Sequence, residues 1–386
     1  MFERVFESIS RLERTLERER QEAPGLLRRM EGQPLARQLL IVRNLDLYHT
    51  AGLCEEILER SWTLRFDEPA RTRDLAELAV VVAEALDLET YGRCLVQDLR
   101  GRAWCHLGNA RRIVADLRGA AEAFQKAERH LAEGSGDKLE RGFLLRTRAL
   151  LLLDQRRLEE SETLMDQALD LYRSERADHE VGMALLAKSH VRSIRGDAEG
   201  TISYLKEALS LLDLAREPRA KLVGVHNLAY ALHDLGRDPE AIAVLIRWRF
   251  LYFEFGDRAF LLRLHWLEGL IARGLERPEL AEGALQEARR GFLELSLPYE
   301  MALVSLDLAE LYLETGETGK VATLATEAAA FFQSRQIHRD ALAAFLLLRD
   351  AAGRDQVTLD LVRKVGEFLE ASRNDPEQRF RSRSDA

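Results

Sequence analysis

The chain has 386 residues, 46% of them apolar and 31% charged, with 24 Gly and 8 Pro; it is longer than a single core usually grows, so two or three domains or one elongated array are expected. A mixture rich in Ala, Leu, Glu and Arg, with few runs of Val, Ile and Thr, points to an all-α protein and away from sheets. The formal net charge of -9 argues against a general nucleic-acid binder, whose affinity comes from cations that neutralise phosphate.

Phe2 to Glu22 reads as the first helix, with Phe2, Phe6, Ile9, Leu12 and Leu16 on one face and mostly Glu and Arg on the other. That stripe is expected to pack on the next helices of the chain rather than on a membrane or a partner helix. The segment lacks the apolar core and cleavage site of a signal peptide, and no apolar run approaches the ~18 residues that span a bilayer. A cytoplasmic protein without membrane contact is expected. Pro24-Gly25 and Gly32-Gln33-Pro34 read as breaks. From Leu35 to Leu86 the pattern is helical again, with Asp67 as the expected cap of the second helix and Pro69 in its first turn. This stretch reads as a divergent repeat. Cys54, Cys94 and Cys105 are too few and too irregular for a disulfide framework or a zinc site, and are expected to be small core residues in a reducing compartment.

From residue 101 to 335 the chain repeats itself. Small residues stand at Gly108, Ala149, Ser189, Ala229, Gly269 and Ala309, 41 residues apart once and then 40 apart every time. A second small row runs Ala127, Ala168, Ala208, Ala288 and Ala328, with Trp248 as its exception. A larger apolar row runs Phe124, Met165, Leu205, Leu245 and Leu285, and shrinks to Ala325. Gly196, Gly236 and Gly316 mark turns where a left-handed residue ends a helix. Rows of this kind fit antiparallel helix pairs that approach closely where one presents a small residue and the other a large one. Each pair alone would leave an apolar face open, so pairs stack. Residues 336–371 read as capping helices and 372–386 as a disordered tail; residues 1–100 form an N-terminal helical region.

Leu107-Gly108-Asn109 followed by Ala120, Phe124 and Ala127 resembles the tetratricopeptide signature, and the likeness extends over residues 101–330. The 40-residue unit exceeds the usual length of about 34 and is similar to the longer variants of kinesin light chains and bacterial regulators. Arg148, Lys188 and Glu268 depart from the Leu107 position. The resemblance implies a right-handed solenoid with a concave groove lined by the first helix, A, of each pair.

No phosphate loop, HExxH or GxSxG elbow is present, so no catalytic residue, metal or cofactor is expected. His226 and His233 lie two turns apart on one helix, ~10 Å by helical rise, too far to share an ion. The family pattern places the second, fifth, ninth and twelfth residues of helix A in the groove. Carried over, these are Arg102, Cys105, Asn109 and Arg112; Arg146; His190; His226, Tyr230 and His233; and Arg263, Trp266 and Arg273. A basic, aromatic lining suggests a protein or peptide partner that is acidic or carboxylate-bearing. Arg as the general surface cation of this chain explains the composition equally well. The carboxylate clamp of chaperone-binding members is not matched, because Cys105, Thr147, Met183 and Ala187 occupy four of its places. The expected function is a non-enzymatic scaffold or adaptor that binds its partner in the groove; the alternative is a peptide- or ligand-responsive regulator of a transcription or signalling partner. The oligomeric state stays open.

Overall fold

The computed structural model describes residues 2–335, 339–354 and 356–374. Nearly every regular segment among them is α-helical, and none is a strand. The chain divides between Arg195 and Gly196 into two compact units, and each is taken by itself.

The first unit begins with α1 (Phe2–Met30), α2 (Leu35–Asn44), a 3-10 turn at Asp46–Tyr48, α3 (Ala51–Leu64), α4 (Pro69–Glu84) and the short α5 (Leu88–Tyr91). Contrary to expectation, α1 runs straight through Pro24 and Gly25. An interior proline costs about 3 kcal/mol, but Leu26, Leu27 and Met30 just beyond it are buried, at roughly 1.5–3 kcal/mol each. Burial wins, and the break comes at Gly32, where φ is +81°. Leu12 and Leu16 pack against a core of Ala51, Leu86, Tyr91, Val96 and Leu99; the side chains of Phe2, Phe6 and Ile9 lie outside the described residues. The N-cap of α4 is Glu68 with Pro69 next to it, one residue later than the expected Asp67. Of the cysteines, Cys54 and Cys105 are buried, whereas Cys94 is exposed and not a core residue.

Two helix pairs and one further helix complete this unit: α6 (Arg93–Ile113) with α7 (Leu117–Ala132), α8 (Lys138–Asp154) with α9 (Leu158–Ser174), and α10 (Asp178–Ile194). The second unit holds α11 (Ala198–Leu211), then the pairs α12 (Pro218–Asp234) with α13 (Asp238–Phe255), α14 (Arg258–Gly274) with α15 (Pro278–Glu294), and α16 (Pro298–Glu314) with α17 (Thr318–Arg335). The division between units falls inside the third sequence repeat.

The three sequence rows are the packing rows. All six small residues from Gly108 to Ala309 are buried, as are Ala127, Ala168, Ala208, Ala288 and Ala328. A Cβ added to Gly108 would stand 2.6 Å from the Phe124 ring, and one added to Gly269 would stand 2.7 Å from Leu285. Close approach at these points therefore requires glycine. After each of the six A helices one residue is left-handed, at Ala115, Arg156, Gly196, Gly236, Glu276 and Gly316. After Ala115, Arg156, Gly236, Glu276 and Gly316 the next residue closes a six-residue hydrogen-bonded turn, as from Arg277 N–H to Ala272 O at 2.9 Å and from Glu317 N–H to Tyr312 O at 2.7 Å.

Successive A helices touch: α6 with α8 and α8 with α10 in the first unit, and α12 with α14 and α14 with α16 in the second. The chain then forms α18 (Arg339–Gly353) and α19 (Leu359–Asn374). α18 packs on α17, while α19 returns to lie on the A helix α16. Of the segment expected to be a tail, residues 372–374 belong to α19 and 375–386 lie outside the described residues.

Candidate binding faces of the A helices

In the first unit the A-helix side chains are joined across helices. Arg102 of α6 donates through Nε to Glu140 Oε1 of α8 at 2.7 Å. Burial pushes the Glu140 carboxyl up, and Arg102 opposes the shift. Nearly three turns on, Arg112 donates through Nη1 to Asp154 Oδ2 at 2.9 Å and through Nε to Asn109 Oδ1 at 3.2 Å. Asn109 and Arg146 are only 5% and 4% exposed, so neither presents a free surface to a ligand. The Arg146 guanidinium lies 5.3 Å from the Phe143 ring and 5.8 Å from the Trp62 ring. Cys105 meets the Thr147 hydroxyl at 3.2 Å, and burial pushes its thiol up to about 12.

Sequence reasoning missed His106, which sits among Trp62 and Phe143 with ring centroids 5.7 and 5.1 Å away. Burial, followed by the charges of Arg102, Arg65 and Arg146, pushes it down to about 3. Its signal was weak: it falls one residue from the expected groove position at Cys105. His106, Arg102, Glu140, Phe143, Tyr172 and Glu180 line a cavity of about 190 Å³ with Leu139. His190 stands exposed on α10, away from that cavity.

The second unit repeats the scheme on α12, α14 and α16. His226 Nδ1 lies 3.1 Å from the Tyr252 hydroxyl and packs edge-on to Phe260 at 5.4 Å. Burial and the neighbouring Arg263 push it down to about 4. His233 Nδ1 meets Asp238 Oδ1 at 2.6 Å, so the two histidines serve different partners. Arg263 approaches Glu300 at 3.8 Å. Arg273 donates through Nη2 to Glu310 at 2.6 Å and through Nε to Glu314 at 2.8 Å.

Trp266 Nε1 donates to Asp307 Oδ2 at 2.6 Å. Burial, aided by Glu310 and Glu370, pushes the Asp307 carboxyl up to about 7, while Trp266 and Arg273 oppose the shift. α19 supplies Glu370, and its Arg363 lies 3.6 Å from Glu310. Tyr230 keeps 43% of its surface exposed, although desolvation and the fields of Asp234, Glu370 and Asp307 hold its hydroxyl up.

Arg102, Arg112, Arg263 and Arg273 are thus engaged by carboxylates one repeat further on. They form rungs between successive A helices instead of open forks. Among the described residues no group of three or more His, Cys, Asp or Glu is placed to hold a metal ion. None of the helices described is long and apolar enough to cross a membrane.

No protein-family model and no curated protein matches this sequence. Solved structures do. The chain is similar to a Rap protein complexed with competence and sporulation factor, with a TM-score of 0.59 at 14% identity over 83% of this chain and 88% of that one. It is also similar to aspartyl phosphate phosphatase F from Bacillus subtilis, with a TM-score of 0.53 at 16% identity over 97% and 96%. At such identities the likeness is one of fold. The protein has a tetratricopeptide-like, all-helical repeat fold.

Proposed function

We propose that this chain is a non-enzymatic, ligand-responsive binding protein that holds a peptide or protein partner on the faces lined by its A helices. The observation that carries this reading is the set of rungs between successive A helices: Arg102 to Glu140 and Arg112 to Asp154 in one unit, Arg263 to Glu300 and Arg273 to Glu310 and Glu314 in the other. A carboxylate brought by a ligand competes with these internal carboxylates for the same guanidinium forks. Exchange at a rung changes what holds two helices together, so binding is linked to helix spacing. A rigid scaffold would need no such exchange, which is why the rungs favour the responsive form over a passive adaptor. The Rap protein solved with competence and sporulation factor supports a fold able to carry that role, and the Bacillus subtilis neighbour supports a bacterial setting.

The name of the second neighbour, a phosphatase, raises catalysis. Two histidines of these faces give it little support. His106 and His226, pushed down to about 3 and about 4, are neutral near pH 7 and too weakly basic to accept a proton efficiently.

The test is capture of the partner from a lysate of the native host, identification by mass spectrometry, and titration against Arg112→Ala and Arg273→Ala. Each variant should bind about tenfold more weakly or worse while its thermal midpoint shows that it stays folded. Arg146 is unsuitable for this purpose because its substitution would disturb the core. Undiminished binding by both variants would overturn the reading. Scattering that is unchanged on binding would reduce the protein to a rigid scaffold.

A further inference from the structure

Helix α13 carries two apolar seams on opposite sides. The inner seam, Ala241, Leu245, Trp248 and Tyr252, belongs to the repeat, and Ala241, Leu245 and Tyr252 are fully buried. The outer one runs Pro239, Ala243, Ile246, Phe250 and Phe253, in steps of four, three, four and three. All five are exposed, with Ile246 at 66%, Phe250 at 41% and Phe253 at 61%. A helix that is apolar all round is expected inside a protein, not with one side in water. Steps of three and four are the spacing of a helix-packing seam.

Basic groups flank the middle of this outer seam. Arg249 lies 5.8 Å from the Phe253 ring centroid and is paired with Glu268. Arg247 is exposed, lies 5.4 Å from the Trp248 ring centroid, and has no carboxylate partner among the described residues. Trp248 and Phe250 stand 6.0 Å apart. Exposed aromatic rings interleaved with arginine are the composition of binding hot spots.

We propose that the outer face of α13 docks an amphipathic helix of a partner protein, with apolar residues at matching three-four spacing and Asp or Glu at the positions flanking them. Charge selects this occupant. An acidic flank meets Arg247 and Arg249, whereas a second α13 laid antiparallel with the seams in contact, Ile246 opposite Phe250 and Ala243 opposite Phe253, would set Arg247 against Arg249. The seam lies on the side of α13 turned away from the A helices, so this surface is separate from the proposed ligand face.

The probe is a fluorescein-labelled synthetic helix of about three heptads with Leu at the seam positions and Glu at the flanks, beside a sister peptide with Lys at the flanks. Anisotropy with the full chain should show binding of the Glu peptide and weaker or no binding of the Lys peptide. The double variant Ile246→Ser, Phe250→Ser should weaken the Glu peptide by about tenfold or more. Arg247→Glu, which removes no ion pair, should weaken it and improve the Lys peptide. Circular dichroism melts confirm that the variants fold. Absence of Glu-peptide binding, or equal binding of both peptides, would overturn the proposal. Self-association of the full chain in sedimentation that Phe250→Ser abolishes would assign the seam to a second copy instead.

Discussion

At the scale of single residues, the most regular feature is a backbone conformation. The left-handed residue after each A helix is glycine at Gly196, Gly236 and Gly316, but Ala115, Arg156 and Glu276 adopt the same conformation. The three glycines were legible in the sequence. The other three were not, because their side chains carry no left-handed signal and the hydrogen-bonded turn imposes the conformation on them. A side chain held there costs roughly 1–2 kcal/mol, offset in part by the added chain entropy of glycine. Glu276→Gly should therefore raise stability by about 1 kcal/mol, read as a higher urea midpoint, and Gly316→Ala should lower it by a similar amount. The arginine rungs were half legible. Arg102, Arg112, Arg263 and Arg273 follow from the family pattern, but their acceptors lie 37 to 42 residues away, one repeat on, where no local motif points.

His226 adds a pH dependence at the same scale. Its folded pKa is held at about 4, below the ordinary 6.5, so the unfolded chain binds its proton more readily. The stability that neutral His226 contributes is complete above pH 6.5 and is lost as pH falls toward 4. His226→Gln keeps a group able to hydrogen-bond with the Tyr252 hydroxyl and cannot be protonated. Its stability relative to the parent should rise as pH falls through that window, in paired urea titrations at pH 7 and pH 4.5; a constant difference would mean the imidazole titrates as it does in water.

At the scale of elements, the repeat rows made the packing readable because small and large residues must alternate where helices touch. Ala208 is fully buried in α11, so Ala208→Phe should cost about 1–3 kcal/mol by overpacking, read as a lowered thermal midpoint; an unmoved midpoint would mean the row is misassigned. One element departed from expectation: α1 ignores its proline because apolar side chains beyond Pro24 are buried, so tertiary contacts outweigh a local rule.

At the scale of the whole molecule, the boundary between Arg195 and Gly196 left no trace in the sequence, since the 40-residue interval runs through it unchanged. The position of α19 was equally hidden. Its length and apolar spacing announced a helix, but that it returns to α16 and leaves α17 to α18 depends on contacts between distant residues. Its Val362, Val365, Phe368 and Leu369 are buried. Ending the chain after Gly353 removes these four side chains, worth roughly 1.5–3 kcal/mol each before chain entropy is deducted. In a repeat fold each helix pair answers chiefly to its neighbours, so the loss should stay local. Hydrogen exchange should then quicken in α16 and α17 of the truncated chain while α6 to α9 keep their protection. Unchanged protection of α16 would refute its packing with α19; lost protection in α6 to α9 would show that the two compact units unfold as one.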